Sequence, residues 1–218
     1  TFTNVLAADN SATGRAFTFD GAGKTIVTGE FAGGIDASNV TAAGIGAVLN
    51  NGTGHVVLSN ANNKYGNYTL VNGGILEFGV EAANQGVMNV VHPGGAIGLT
   101  SGITSAYLSK FTNAINGAGV DNESRGSLAI SAADAATNFD YVGDANLSHA
   151  KLVNTSIGSL SAAGVTYTGT ITPSPAVGYR LGGGGLLIVP GTNALTGAHT
   201  LTATNGGTVS LTGTNNKS

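Results

Sequence analysis

Apolar residues in this chain come in short runs, separated by polar or glycine-rich corners. The clearest stretch is Val56 to Gly79, where Val56–Leu58, Tyr68–Val71 and Ile75–Phe78 are divided by Asn60–Gly66 and Asn72–Gly74. Runs this short are too brief for a helix and have the length of strands. Asn72-Gly73-Gly74 supplies residues that tolerate positive φ, which predicts a corner there. Further strands are predicted at Phe17–Phe19, Thr25–Thr28, Gly46–Leu49, Val87–Val91, Ala96–Leu99, Ser127–Ile130, Phe139–Val142 and Lys151–Val153. The last third adds Val165–Ile171, Tyr179–Leu181, Leu186–Val189, Thr200–Thr202 and Thr208–Leu211. Strands so short and so closely spaced do not make a sandwich. They fit a mainly β fold, a right-handed parallel β-helix, in which each coil lies about 4.8 Å from the last and pairs backbone to backbone with it. At about 20 residues per coil the chain makes roughly ten coils. The expected core is Val57, Leu58, Leu70, Ile75, Leu76, Val90, Ile97, Val165, Leu187, Val189 and Leu211, with one of each adjacent pair turned outward by strand alternation.

The pattern changes between 103 and 160. Tyr107, Leu108, Phe111 and Ile115 stand at i, i+1, i+4 and i+8, one apolar stripe on a helix. Thr104 or Ser105 serves as N-cap and Gly117 as the stop, so one short inserted helix of about three turns is expected near residues 104–116. The chain thus divides into β-solenoid coils over 1–102, insertion-bearing coils with the short helix over 103–160, and further coils over 161–218.

A repeat is visible as well. Val209–Lys217 matches Val56–Lys64 at a constant offset of 153, and internal repeats are the signature of stacked architectures. Leu58-Ser-Asn-Ala-Asn-Asn-Lys-Tyr-Gly66 and Thr69-Leu-Val-Asn-Gly-Gly-Ile-Leu76 resemble the autotransporter-associated β-strand repeat, with Asn60 at the usual Gly and one extra residue before Tyr65. Val165–Pro173 followed by Tyr179–Ile188 resembles segments that accompany such repeats in very large surface proteins of planctomycete-like bacteria. The resemblance implies a β-solenoid and an extracellular setting; it implies no catalysis. The chain opens at Thr1 without a signal peptide and stops at Ser218 inside the second copy. It reads as a segment continued at both ends, covalently or by another copy.

Composition agrees with a β-rich surface protein. Of 218 residues 36 are Gly, without the Gly-x-y period of collagen. Charged residues are 9% and hydrophobic ones 41%, enough for a core and unlike the charge of an average soluble domain, about 25%. The net charge is −3 and the 8 basic residues are scattered, which argues against nucleic acid as a partner. Cysteine is absent, so neither disulfides nor thiolate metal sites contribute. No apolar run is long enough to span a membrane.

Candidate chemistry is sparse. His55, His92, His149 and His199 are far apart and lack metal-ligand spacing; His55 is read as a solvent-facing strand position. Asp134, Asp140 and Asp144 form the densest acidic group, with Asp121 and Glu123 as a second. A glycosidase needs two carboxyls about 5–10 Å apart, but one carboxylate per coil in a loop is also what a solvated edge shows. Asp134→Asn and Asp140→Asn are therefore expected to change neither fold nor function. Gly182–Gly185 lacks the Lys-Ser/Thr of a phosphate loop and leads into a strand, so a sharp corner or a close approach of coils is expected. Seven Asn-x-Ser/Thr triplets, at Asn39, Asn51, Asn67, Asn122, Asn146, Asn154 and Asn216, mark accessible turns. No catalytic, cofactor or metal residue is assigned. The expected role is an extracellular structural module of a surface protein or fibre, partnered by further repeats or other copies stacked end to end. Matrix polysaccharide is the other partner considered. The alternatives are an adhesin reading a ligand through 103–160 and, behind it, a carbohydrate-active enzyme.

Overall fold

The computed structural model describes residues 1–4, 6–7, 16–32, 47–113, 123–191 and 194–213. The protein is mainly β, and its strand pairing is parallel. The largest element is an eight-stranded sheet. In spatial order it runs Leu201–Ala203 (β18), Tyr179–Gly184 (β16), Ser156–Ser159 (β13), Ser127–Ile130 (β11), Gly95–Leu99 (β10), Gly74–Phe78 (β8), His55–Leu58 (β6) and Lys24–Val27 (β3). The order is monotonic in the chain, so each pass adds its strand beside the one before. A four-stranded sheet of Ala16–Phe19 (β2), Ala47–Asn50 (β5), Tyr68–Val71 (β7) and Met88–Val91 (β9) follows the same rule, as does a three-stranded sheet of Val165–Thr166 (β14), Leu186–Val189 (β17) and Thr208–Leu211 (β19). Two short pairs complete the set, Leu6–Ala7 (β1) with Phe31–Ala32 (β4), and Phe139–Asp140 (β12) with Ile171–Thr172 (β15). The eight-stranded sheet draws strands from 1–102, 103–160 and 161–218 alike.

Register explains why the apolar runs matter. Thr25, Val56, Leu76, Ile97, Leu128, Ile157 and Leu181 are partners in succession across seven strands. Val27, Leu58, Phe78 and Leu99 form a second such row. From Val56 onward the first row is buried, and the second is buried throughout. A side-chain period of two puts each row on a single face, and one continuous apolar cluster results. Of the expected core, Val57, Leu70 and Ile75 are half-buried, while their neighbours Val56, Val71 and Leu76 take the interior places. Leu211 departs from the expectation at 38% exposed, because among the described residues β19 has a neighbouring strand on one side only.

The inserted helix is shorter than the stripe suggested. Helix α1 covers Ser105–Thr112, about two turns, with the Thr104 side chain accepting from the Tyr107 N–H as N-cap. Tyr107, Leu108 and Phe111 are its buried face. It ends at Asn113, where the backbone turns extended; Ile115 and Gly117 lie outside the described residues. Lys151–Val153 is turn rather than strand: Leu152 is buried, and the Lys151 ammonium donates to the Asn113 carbonyl at 2.5 Å just beyond the helix C-terminus. The run Val165–Ile171 breaks into β14 and the start of β15, and of Phe139–Val142 only the first two residues are strand. Ser156–Ser159 is missing from the expected strands, yet it lies inside the long sheet with all four residues buried.

The two copies of the repeat have the same local form in different places. At the offset of 153, Val48, Val56 and Leu58 correspond to Leu201, Val209 and Leu211, and β5–corner–β6 corresponds to β18–corner–β19. β5 and β6 belong to the four- and eight-stranded sheets, whereas β18 and β19 belong to the eight- and three-stranded ones. The unit is reused one sheet further along.

Candidate functional site

The polar side chains that the fold brings together lie in four places. The first is the outward face of the long sheet. His55 on β6 and Glu77 on β8 approach to 2.7 Å (Nε2 to Oε2), and the Thr100 hydroxyl just past β10 donates to the other Glu77 oxygen at 2.5 Å. The clasp spans three consecutive strands. His55 is thus not simply solvent-facing; its side chain is 19% exposed and engaged. The His55 hydrogen bond, aided by Thr100 and by the nearby charges of His55 and Lys24, holds the Glu77 carboxyl below the usual carboxylate range against the opposing effect of burial. With the folded value lower than the unfolded one, about 4.3, this carboxylate stabilises in full above the unfolded pKa, and the contribution disappears as pH falls through the folded value. The stability difference between wild type and Glu77→Gln is therefore expected to be flat near neutrality and to close in acid, read by urea unfolding from about pH 7 to pH 3. A difference that persists undiminished at the acid end contradicts the clasp.

The second place is the corner between the four-stranded and long sheets. Asn72 Nδ2 donates to Asn51 Oδ1 at 2.7 Å, and His92 Nδ1 lies 2.7 Å from Asn72 Oδ1. Equivalent corner positions on successive passes thus form a ladder of side-chain amides ending in an imidazole. Gly74, with φ of +60°, lets the chain leave this corner.

The third place is the interior. Asn63, 4% exposed, accepts from the Phe31 N–H at 3.1 Å and donates to the Ala83 carbonyl at 3.0 Å. It joins the pass before it to the pass after it. Beside it Tyr65, Thr69, Asn84 and Asn89 form a buried hydrogen-bonded chain. Burial pushes the Tyr65 hydroxyl well above its ordinary pKa and lowers that of Lys110. In the sequence Asn63 is legible only as part of a turn, although Asn-Asn-Lys recurs in both copies of the repeat.

The fourth place is Gly182–Gly185. Gly182, Gly183 and Gly184 have φ of +118°, +101° and +73°. The Ser127 and Ser156 hydroxyls both donate to the Gly182 carbonyl, at 2.7 and 2.9 Å. The Asn205 amide reaches the same cluster, donating to Ser156 Oγ at 2.9 Å and to the Arg125 carbonyl at 3.0 Å. Here the glycine-rich end of β16 lies close to Ser127 and Ser156 of its own sheet, a close approach of passes.

The described acidic residues of the two groups are engaged in hydrogen bonds, two of them within their own turns. Asp140 accepts from the Val142 and Gly143 N–H groups, which lower its pKa. Asp144 accepts from Asn146 and Leu147. Glu123 meets Arg125 at 2.5 Å and Asn154 at 2.6 Å; Asp121 lies outside the described residues. Asp134 is buried, one oxygen accepting from the Ile103 N–H at 2.6 Å and the other from the Ser131 N–H at 2.9 Å. That corrects the expectation that Asp134→Asn is silent, because an amide sets an NH2 against one of two backbone donors. His149 accepts within its own turn from Lys151 N, and His199 lies edge-on to Tyr179. Among the described residues no group of three or more His, Cys, Asp or Glu is placed to hold a metal ion, and no helix is long and apolar enough to cross a membrane.

No protein-family model matches the chain, and neither a curated protein nor a solved structure matches it.

Proposed function

We propose that the protein is a right-handed parallel β-helix and serves as an extracellular structural module of a bacterial surface protein or fibre. One observation carries the reading: eight parallel strands add to one sheet in chain order, at intervals of 19 to 32 residues, while a second series of strands does the same beside them. A chain that returns to the same sheet so often, always in parallel, winds around a common core, and parallel crossovers are right-handed in nearly all sheets. The polar groups fit a mechanical role. Asn63, the Asn51–Asn72–His92 ladder and the His55–Glu77–Thr100 clasp each link one pass to the next, and none leaves a converging pair of carboxylates free. Low charge and the resemblance to the autotransporter-associated repeat support an extracellular location. Among the described residues of 103–160 the exposed large hydrophobic side chain is Val142, so the described part of this segment offers little apolar surface to a ligand.

The test has two readings on one protein. Small-angle scattering of the isolated chain is expected to show an elongated particle, since eight strands extend a sheet by roughly 34 Å at about 4.8 Å per step. Antibodies raised against it are expected to label intact source cells without permeabilisation. A spherical particle contradicts the β-helix, and labelling only after permeabilisation contradicts the surface role.

A further inference from the structure

Helix α1 is seated on the segment that leads into β9. The Thr104 hydroxyl donates to Glu81 Oε2 at 2.8 Å, the Lys110 ammonium to the Asn84 carbonyl, and Asn113 Nδ2 to the Val87 carbonyl at 2.6 Å. These three bonds lay the helix along 81–87, and it packs against β9. On its buried face Tyr107 and Phe111 meet edge to face, with ring centroids 5.5 Å apart. On the sheet side Asn89 is in register with Thr69 and stands two residues before Val91 of the core cluster, so it shares the inward face of β9.

A buried polar chain reaches this seat. The Tyr65 hydroxyl donates to Asn84 Oδ1 at 3.3 Å, and Asn84 Nδ2 donates to Asn89 Oδ1 at 3.2 Å. There two bonds are left unmade. Asn89 Nδ2 and the Tyr107 hydroxyl belong to residues that are 0% exposed, and among the described residues neither atom has a hydrogen-bond partner. Burying a polar group without a partner is costly, and folded proteins rarely do it. Burial above all raises the Tyr107 pKa well beyond its ordinary value, so the hydroxyl keeps its proton. The amide nitrogen can only donate, whereas the phenol oxygen can donate and accept. We propose that one buried water molecule lies between α1 and β9, accepting from Asn89 Nδ2 and bonded to the Tyr107 hydroxyl, as a fixed part of the helix seat. Water fits this pair of groups. It offers two donors and two acceptors in the smallest volume, and interior waters join otherwise unsatisfied groups in this way. An apolar ligand would satisfy neither atom, and the Lys110 ammonium on the Asn84 carbonyl disfavours a second cation nearby. The site needs only α1 and β9, so it stands whether or not the chain is a β-helix.

Crystals of the full chain that diffract finely enough to place water test this directly. One water oxygen is expected within hydrogen-bond distance of both Asn89 Nδ2 and Tyr107 Oη. Tyr107→Phe keeps the ring and removes one of the two anchors. In crystals of that variant the water is expected to be lost or displaced, and the variant is expected to unfold at a lower urea concentration than wild type. Absence of the water from wild-type crystals overturns the proposal, as does a Tyr107 hydroxyl bonded directly to a protein group. A water that keeps its place in Tyr107→Phe is not held by Tyr107, and the assignment fails. A Tyr107→Phe midpoint at or above that of wild type has the same consequence, since a hydroxyl without a partner is best removed.

Discussion

Gly183→Ala is expected to destabilise the protein by about 3 kcal/mol, from backbone strain of order 1–3 kcal/mol and overpacking of about 1–3 kcal/mol. Its φ of +101° is a region that side chains rarely enter, and a Cβ there would lie 1.8 Å from Ser127 Oγ. Ser127 cannot swing aside freely, because its hydroxyl is buried and held by Ser156 Oγ at 2.6 Å and the Gly182 carbonyl at 2.7 Å. Urea unfolding measures the loss. Adding Ser127→Gly to Gly183→Ala is expected to recover the part due to collision while leaving the part due to φ. If Gly183→Ala alone unfolds at the wild-type midpoint, Gly183 does not press on Ser127 as described.

The second large effect belongs to Asn63. Asn63→Leu keeps the bulk but strands the Phe31 N–H and the Ala83 carbonyl in the interior. An unmade buried hydrogen bond costs about 1–3 kcal/mol, so a loss of about 3 kcal/mol is expected for the pair. Asn63→Asp retains the acceptor for Phe31, loses the donor to Ala83 and buries a charge, and is expected to be no better. Asn62 is the internal control. It is exposed, its own N–H donates to the Asn60 side chain, and Asn62→Ala is expected to stay within about 0.5 kcal/mol. Equal, small effects at 62 and 63 refute the staple.

Both residues show how sequence and fold divide the information. Asn63 and its neighbour Asn62 are the same amino acid in the same turn, and the difference lies in two backbone groups, 32 and 20 residues away. The glycines of 182–185 announce a corner or a close approach. What they approach, Ser127 and Ser156, is 55 and 26 residues from Gly182. The His55–Glu77 clasp is invisible in the sequence because the pairing depends on two strands coming into register, and a histidine and a glutamate 22 residues apart carry no local signal.

The strand-and-corner rhythm is legible from the residue pattern alone. Alternating β-branched and aliphatic residues broken by Asn and Gly admit few other local conformations, and Tyr68–Val71, Ser127–Ile130, Leu186–Val189 and Thr208–Leu211 begin and end where the pattern does. The stripe and N-cap of α1 are equally local, since Thr104, Tyr107, Leu108 and Phe111 act within two turns of one another. Three other features follow from long-range packing. Ser156–Ser159 has weak strand character and is a strand because β11 and β16 pair with both its edges, and all four of its residues are buried. Lys151–Val153 has good strand character and is a turn because Lys151 closes the helix end. The repeated unit at 48–58 and 201–211 keeps its strand–corner–strand form in both copies yet enters different sheets. One cause is common to all three. Parallel backbone pairing is indifferent to side-chain identity, so local pattern sets which residues face inward, and packing against distant passes sets which neighbours they meet.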